Sequence, residues 1–118
     1  MQRWQTICHI LPFASRPYRR LGQIWRVRAE WSGSATDATP AAESFAAAVE
    51  RYPHHAELLA EWATACELAG RHDEARQAAS RAVRQDDINR SAGHSDKYLA
   101  ESLRQRMDRL AATASEPN

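Results

Sequence analysis

Histidine side chains that could bind a metal ion or move protons are scattered along this chain of 118 residues. The five histidines are His9, His54, His55, His72 and His94. His54 and His55 are adjacent, so on a helix they would point about 100° apart and would not share one ligand face. No cysteine or acidic residue lies at metal-ligand spacing from them. We therefore predict no metal site and no cofactor.

A second place where catalysis could occur is the run Gly93-His94-Ser95-Asp96, which contains three residue types found in hydrolases. A catalytic triad is defined by the three-dimensional roles of its members, and adjacency in sequence does not create it. Ser95 and Asp96 suit the start of a helix instead, because their side chains accept hydrogen bonds from free backbone N–H groups. No glycine-rich phosphate loop or HExxH motif is present. We predict that the protein is not an enzyme.

The two cysteines, Cys8 and Cys66, are far apart and have no metal-type spacing. Such sparse cysteine usage is typical of a reducing compartment and argues against a disulfide-bonded scaffold. Cys66 lies in a helical apolar pattern, so we expect it to be a small buried side chain. These features favour a cytoplasmic protein.

The first 29 residues form a basic region with no acidic residue, and its arginines are Arg3, Arg16, Arg19, Arg20, Arg26 and Arg28. Tyr18, Trp25 and Trp31 alternate with these arginines. Arginine can bind phosphate, and aromatic rings can stack on bases or lie at a membrane interface. One interpretation is therefore a surface that binds nucleic acid or an anionic membrane through the five arginines from Arg16 to Arg28.

Two other interpretations of the basic region remain open. It is compatible with the first helix of a repeat domain, with Trp25 in the core and the arginines facing solvent. It is also compatible with a targeting segment or a misassigned start, because residues 7–14 form a weak signal-peptide core and the lack of acids resembles a transit peptide. Residues 1–15 are therefore treated as a basic and aromatic segment whose order the sequence does not determine.

The composition indicates one small all-α domain. Alanine is abundant, and it favours helices because it gives up no side-chain entropy there. Runs of alternating β-branched residues are absent, so strands are not expected. No apolar run approaches the roughly 20 residues that a membrane-spanning helix needs.

Apolar periodicity and helix-capping residues predict five helices within residues 16–112. A polar connector over 32–40 should separate the first two helices, with Thr39 and Pro40 opening the second. Asp86 to His94 should form a loop. The predicted helices cover residues 16–31, 40–51, 55–69, 73–85 and 96–112, and the tail 113–118 should be disordered.

The chain resembles itself at an offset of 34 residues, which pairs small with small and apolar with apolar side chains. Examples are Ala41 with Ala75 and Val49 with Val83. The region 56–89 resembles the tetratricopeptide repeat (TPR) family: it contains Leu59, Trp62-Ala63, Cys66, the turn sequence Gly70-Arg71-His72-Asp73-Glu74-Ala75 and Ala82-Val83. Residues 22–55 resemble the family more weakly, because their turn lacks the glycine and the aromatic residue at this offset.

The resemblance implies a fold of antiparallel helical hairpins stacked as a short TPR-like α-solenoid, with a C-terminal capping helix over 96–112. His72, Ala79 and Asp87 depart from the family pattern, which prefers an aromatic, an aromatic and a proline there. Two repeats and a cap are close to the minimum that is stable alone, so the sequence also allows a homo-oligomer.

By resemblance, the first helix of each repeat lines a groove that binds a peptide or a partner helix. Carried over by position, the partner-binding residues would be Gln23, Arg26, Glu30, Glu57, Ala60, Thr64 and Glu67. Only Arg26 matches the clamp with which some family members grip a terminal carboxylate, so we predict no such clamp. The expected function is a non-catalytic scaffold or adaptor that binds a protein, and the alternative is an adaptor for anionic membranes or nucleic acid.

Overall fold

The computed structural model describes residues 16–112, except for the side chains of Arg16, Pro17 and Ala35. The predicted N-terminal segment 1–15 and the predicted tail 113–118 lie outside the described residues. The helices are α1 Arg16–Ser32, α2 Ala35–Arg51, α3 Ala56–Leu68, α4 His72–Ala92 and α5 Glu101–Ala112, with a short 3-10 turn at Ser95–Lys97. No strand occurs in this part of the chain, so the prediction of an all-α fold is confirmed.

Helix α2 begins earlier than the sequence predicted. Ser34 caps it, because its hydroxyl oxygen accepts a hydrogen bond from the N–H of Thr36 at 3.2 Å. Pro40 therefore lies inside the helix, where it supplies no backbone N–H. Ala38 in the added turn is fully buried, and this packing helps to offset the loss. The predicted connector over 32–40 and the predicted start at Pro40 are wrong.

Helix α3 agrees with its prediction. The chain leaves α2 at Tyr52, because the residue before Pro53 disfavours the helical conformation. The imidazole of His55 then caps α3 by accepting a hydrogen bond at Nδ1 from the N–H of Leu58 at 3.3 Å. Gly70 follows the helix with φ of +79°, the left-handed conformation that a glycine adopts readily after the end of a helix.

Helix α4 continues to Ala92, so the predicted loop over 86–94 is wrong. Aspartate and asparagine are poor helix formers, but tertiary contacts override this preference here. Asp86 and Asn89 are buried, and both make hydrogen bonds to the segment just before α5. Gly93, with φ of +75°, ends the helix. The last helix also begins later than predicted, at Glu101.

The helices pack in neighbouring pairs along the chain, from α1 with α2 to α4 with α5. Smaller contacts join α3 to both α1 and α5. Helices α1, α3 and α5 therefore form one layer, and α2 and α4 form the other. The core between them is rich in alanine, and its largest fully buried apolar side chains are Phe45, Leu58, Leu59 and Met107.

The two hairpins, α1–α2 and α3–α4, repeat at an offset of 37 residues, and not at the predicted 34. Gly33 and Gly70, both with positive φ, are separated by 37 residues, and so are the first residues of α2 and α4. Trp25 and Trp62 occupy equivalent, half-buried places at this offset. The first hairpin therefore does have a turn glycine, Gly33, which the shorter offset had concealed.

Within the described residues, no helix has the length and the apolar character that crossing a membrane requires.

Candidate partner-binding surfaces

Ion pairs between α1 and α3 cover part of the predicted groove. The guanidinium of Arg19 donates from Nε to Glu61 Oε1 at 2.6 Å and from Nη2 to Glu57 Oε1 at 3.0 Å. Gln23 Nε2 donates to the other oxygen of Glu61 at 2.9 Å. Burial lowers the pKa of Arg19, but the two carboxylates outweigh that effect and raise it. Arg19 is therefore always charged and joins the two hairpins.

The two remaining predicted groove residues of α1 interact with each other. Arg26 Nε lies 3.8 Å from Glu30 Oε2, which is within ion-pair range but too far for a hydrogen bond. Arg26 is half-buried, and the side chain of Glu30 is about half exposed. Of this pair, Glu30 offers the more accessible charge.

Two predicted groove residues of α3 are inaccessible to a partner. Ala60 is fully buried, and Thr64 is 5% exposed. The hydroxyl of Thr64 donates to the backbone carbonyl of Ala60 at 3.0 Å, so its polar atom is already satisfied within the helix. Both side chains lie beneath the surface and could not contact a partner.

The third predicted residue of α3, Glu67, is exposed near α5. Together with Arg106, Arg109 and Leu110 it lines a shallow pocket of about 230 Å³. The sequence prediction missed these α5 residues because it treated the last helix only as a cap. We define the layer face as the exposed side of α1, α3 and α5 that contains Gln23, Arg26, Glu30, Glu57, Glu67, Arg106 and Arg109.

The arginine-rich region is largely engaged by other groups of the protein. Arg19 and Arg26 have carboxylate partners, and the guanidinium of Arg28 lies 5.2 Å from the centre of the Trp25 ring. Arg20 is exposed, and the side chain of Arg16 is not described. Several of the five predicted phosphate-binding arginines therefore already interact with other groups of the protein, and few remain available to bind an anionic surface.

An apolar patch on α1 lies outside the layer face. Trp31 is 88% exposed and Val27 is 47% exposed, and residues four apart share one side of a helix. Such a patch is the kind of surface through which a chain self-associates.

The histidines play no common role in the described structure. His55 caps α3, His54 is exposed in the same loop, His72 starts α4, and His94 precedes the 3-10 turn. His9 lies outside the described residues. Across residues 16–112, no three His, Cys, Asp or Glu side chains converge in a way that could hold a metal ion.

A comparison with models of known protein families found none that matches this chain, and a comparison with curated proteins found no similar sequence.

A cleft of about 470 Å³ opens at the end of the molecule where α2 turns into α3. We call it the tyrosine cleft. It is lined by the loop from Arg51 to Glu57 on one side and by Asn89, Asp96, Lys97 and Tyr98 on the other. The amide of Asn89 donates to the carbonyl of Lys97 at 3.2 Å and so holds the second wall in place. The sequence prediction missed this cleft because its two walls are about forty residues apart.

The strongest electrostatic perturbations occur at residues that hold the fold together. Asp86 is fully buried and accepts hydrogen bonds from Arg90 Nε and Arg104 Nη1, both at 2.7 Å, and from the N–H of Leu99 at 2.8 Å. Burial alone would raise the pKa of Asp86, but these three donors outweigh burial and hold it below its ordinary value. The hydrogen bond to Asp86 likewise raises the pKa of Arg104.

The thiol of Cys66 is also structural. It is fully buried among the core residues, as predicted, and burial raises its pKa to about 12. A thiol with this pKa stays protonated at neutral pH, so it is a poor nucleophile and metal ligand.

Proposed function

We propose that this protein is a non-catalytic protein–protein interaction module, a TPR-like helical scaffold or adaptor that binds a peptide or a partner helix. The observation that carries the proposal is the layer of three helices, whose exposed side presents charges of both signs. In helical repeat proteins, such a layer is where an extended partner lies. We also propose that it acts in the cytoplasm, in keeping with the free, buried thiol of Cys66.

The residues that are equivalent at the 37-residue offset support the TPR-like assignment, and this offset is three residues longer than the 34 residues of the family repeat. Both turns have a glycine followed by an acid and an alanine: Gly33 with Asp37-Ala38, and Gly70 with Glu74-Ala75. Ala38 and Ala75 are fully buried. A small residue at this place allows the two helices of a hairpin to approach closely, which is the packing that the family pattern requires.

The perturbed groups support a non-catalytic role. A catalytic acid, base or nucleophile usually has its pKa moved towards neutrality. Here the pKa values of Asp86 and Arg104 move away from neutrality, and both groups are hydrogen-bonded to one another. This is the pattern of a structural ion pair.

The partner that best fits the layer face carries both charges. Glu30, Glu57 and Glu67 are exposed carboxylates, and Arg106 and Arg109 are exposed cations on α5. A partner helix with basic residues facing α1 and α3 and acidic residues facing α5 would be complementary. Such complementarity raises the association rate and the specificity more than the affinity.

The proposal is tested by affinity purification and mass spectrometry with three forms of the full chain. The wild type is compared with the double variant Glu30→Arg, Glu67→Arg on the layer face. The matched control is Glu43→Arg on α2, an exposed carboxylate of the other layer that lies 3.5 Å from Arg71. We expect one protein that the wild type and the control recover and the double variant loses. Equal recovery of that protein by all three forms would contradict the proposal that the layer face binds it.

The alternative, binding of nucleic acid or an anionic membrane, is distinguished by a salt titration. Neutralised phosphates release counterions, so the affinity of such a complex falls steeply with salt. If such a complex forms, the double variant Arg20→Ala, Arg28→Ala should weaken it. We expect no salt-sensitive binding to RNA, DNA or phosphatidylserine vesicles, because Arg19 and Arg26 already have carboxylate partners.

A further inference from the structure

We propose that the tyrosine cleft is the docking site of this chain's own residues 10–13, the run Ile10-Leu11-Pro12-Phe13. The cleft lies at the end of the hairpins opposite to the turns at Gly33 and Gly70. The inference does not depend on the proposed partner of the layer face. Four observations carry it: the place where α1 begins, the reach of the chain, the lining of the cleft and its charge.

Helix α1 begins at the rim of the tyrosine cleft. The guanidinium of Arg51 lies 5.3 Å from the centre of the Tyr18 ring, and Arg19 pairs with Glu57 at 3.0 Å. Arg51 and Glu57 both line the cleft. The chain that precedes α1 therefore enters the described structure next to this opening.

The run is close enough in sequence to enter the cleft and short enough to fit it. An extended chain advances about 3.4 Å per residue, so the length of the chain allows Phe13 to be at most about 17 Å from Tyr18. The volume of about 470 Å³ falls within the usual range for a site that holds a small ligand. That volume suits a few residues of extended chain and is too small for a partner helix.

The lining of the cleft suits an apolar run that contains proline. The rings of Tyr52, Pro53 and Tyr98 and the imidazole of His54 form its walls. Grooves lined with aromatic rings bind proline-containing segments, because such segments are already extended and lose little entropy on docking. Leu11 precedes Pro12, and a residue in that position favours the extended conformation.

The charges of the cleft are compatible with an uncharged segment. Its lining holds two carboxylates, Glu57 and Asp96, and two cations, Arg51 and Lys97, so the charges balance. The run Ile10-Leu11-Pro12-Phe13 has no charged side chain and would meet no net repulsion there.

The proposal is tested by photocrosslinking in the full chain. Phe13 is replaced by benzoylphenylalanine, which keeps the aromatic ring, and the irradiated dilute protein is mapped by mass spectrometry. We expect crosslinks within one chain to residues 52–57 or 96–98. Crosslinks to α1 near Val27 and Trp31, crosslinks between two chains, or no crosslink above background would each overturn the proposal.

Two surface variants sharpen the crosslinking result. Tyr52→Asp changes an exposed ring of the cleft, and we expect it to reduce the crosslink several-fold. Ile88→Asp is the matched control, since Ile88 is exposed to a similar extent but lies on α4 outside the cleft. Equal crosslink yields from both variants would overturn the assignment.

Hydrogen exchange gives a second measurement without a photoreactive group. In Phe13→Ser, we expect faster amide exchange at residues 52–57 and 96–98 than in the wild type. Trp4→Ser is the control from the same segment and should leave exchange at these residues unchanged. Unchanged exchange in Phe13→Ser would overturn the proposal.

Discussion

In the first hairpin, the small residue lies on α1 and the large one on α2: a Cβ added to Gly22 would lie 3.0 Å from carbons of the Phe45 ring. In the second hairpin, the equivalent positions carry Leu59 on α3 and Ala82 on α4, so the sizes are exchanged. All four residues are buried. Each hairpin therefore keeps a similar summed volume for the two residues, although the residue at each position differs.

The hairpins also differ in how charge joins them to their neighbours. The first is joined to the second by Arg19 with Glu57 and Glu61, whose side chains are 61% and 11% exposed, so this junction is only partly buried. The second is joined to α5 through Asp86, which has no exposed surface. A buried charge that loses its partners costs far more than an exposed one, so the two junctions should respond very differently to substitution.

The exchange of small and large residues between the two hairpins predicts the largest changes in stability. Phe45→Ala leaves a cavity in the first hairpin and should lower the free energy of unfolding by about 4 kcal/mol. Gly22→Leu should also destabilise, because the new side chain meets the Phe45 ring. The double variant reproduces the arrangement of the second hairpin, and its loss should be smaller than the sum of the two single losses by about 1 kcal/mol or more. Urea denaturation measures the free energy of unfolding of all three variants. If the losses of the two single variants simply add in the double variant, the proposed exchange of sizes is wrong.

The buried junction predicts the next effect. Asp86→Ala removes the acceptor for Arg104, Arg90 and the N–H of Leu99, and it should lower the free energy of unfolding by about 3 kcal/mol or more. Asp87→Ala is the matched control, because Asp87 also pairs with Arg104, at 2.9 Å, but is largely exposed. Its loss should stay below about 1 kcal/mol. Similar losses in both variants would show that burial does not distinguish the two pairs.

Acid should remove the stabilisation that the buried junction provides. The folded-state pKa of Asp86 is lowered, so its contribution is fully present above the ordinary aspartate pKa and is lost as pH falls towards the folded value. Wild-type stability should therefore decrease more steeply between about pH 5 and pH 2 than that of Asp86→Asn. Parallel curves from urea denaturation at several pH values would argue against this role.

The exposed junction predicts the smallest effect. Arg19→Ala removes the ion pairs to Glu57 and Glu61, and it should cost about 1 kcal/mol, because Glu57 is exposed to water and Glu61 keeps the hydrogen bond from Gln23. Added salt should reduce the difference from wild type. A loss as large as that of Asp86→Ala would mean that the comparison between the junctions fails.

Local signals in the sequence predicted where α2 and α3 end. Pro53 marks the end of α2, and Gly70 ends α3, because each constrains the backbone where it stands. The end of α4 was not predictable in this way. Asp86 is helical and buried because its partners, Leu99 and Arg104, are 13 and 18 residues further along the chain. No local preference carries that information.

The candidate surfaces were predicted only in part for the same reason. Helical spacing grouped Glu57 and Glu67, which are both exposed, with Ala60 and Thr64, but it could not show that the latter two are buried. The ion pair between Arg19 and Glu61 was missed because it joins residues 42 apart in sequence. The tyrosine cleft was missed because it exists only when the loop before α3 meets the segment before α5.

The central claim, that the layer face binds a protein partner, is tested most directly by carboxyl footprinting of the isolated complex. Exposed Glu and Asp side chains are amidated with and without the partner, and labelling is quantified residue by residue. The account predicts that labelling of Glu30, Glu57 and Glu67 falls in the complex while labelling of Glu43 and Glu50 on α2 is unchanged. Protection of Glu43 and Glu50 with full labelling of the other three would contradict it.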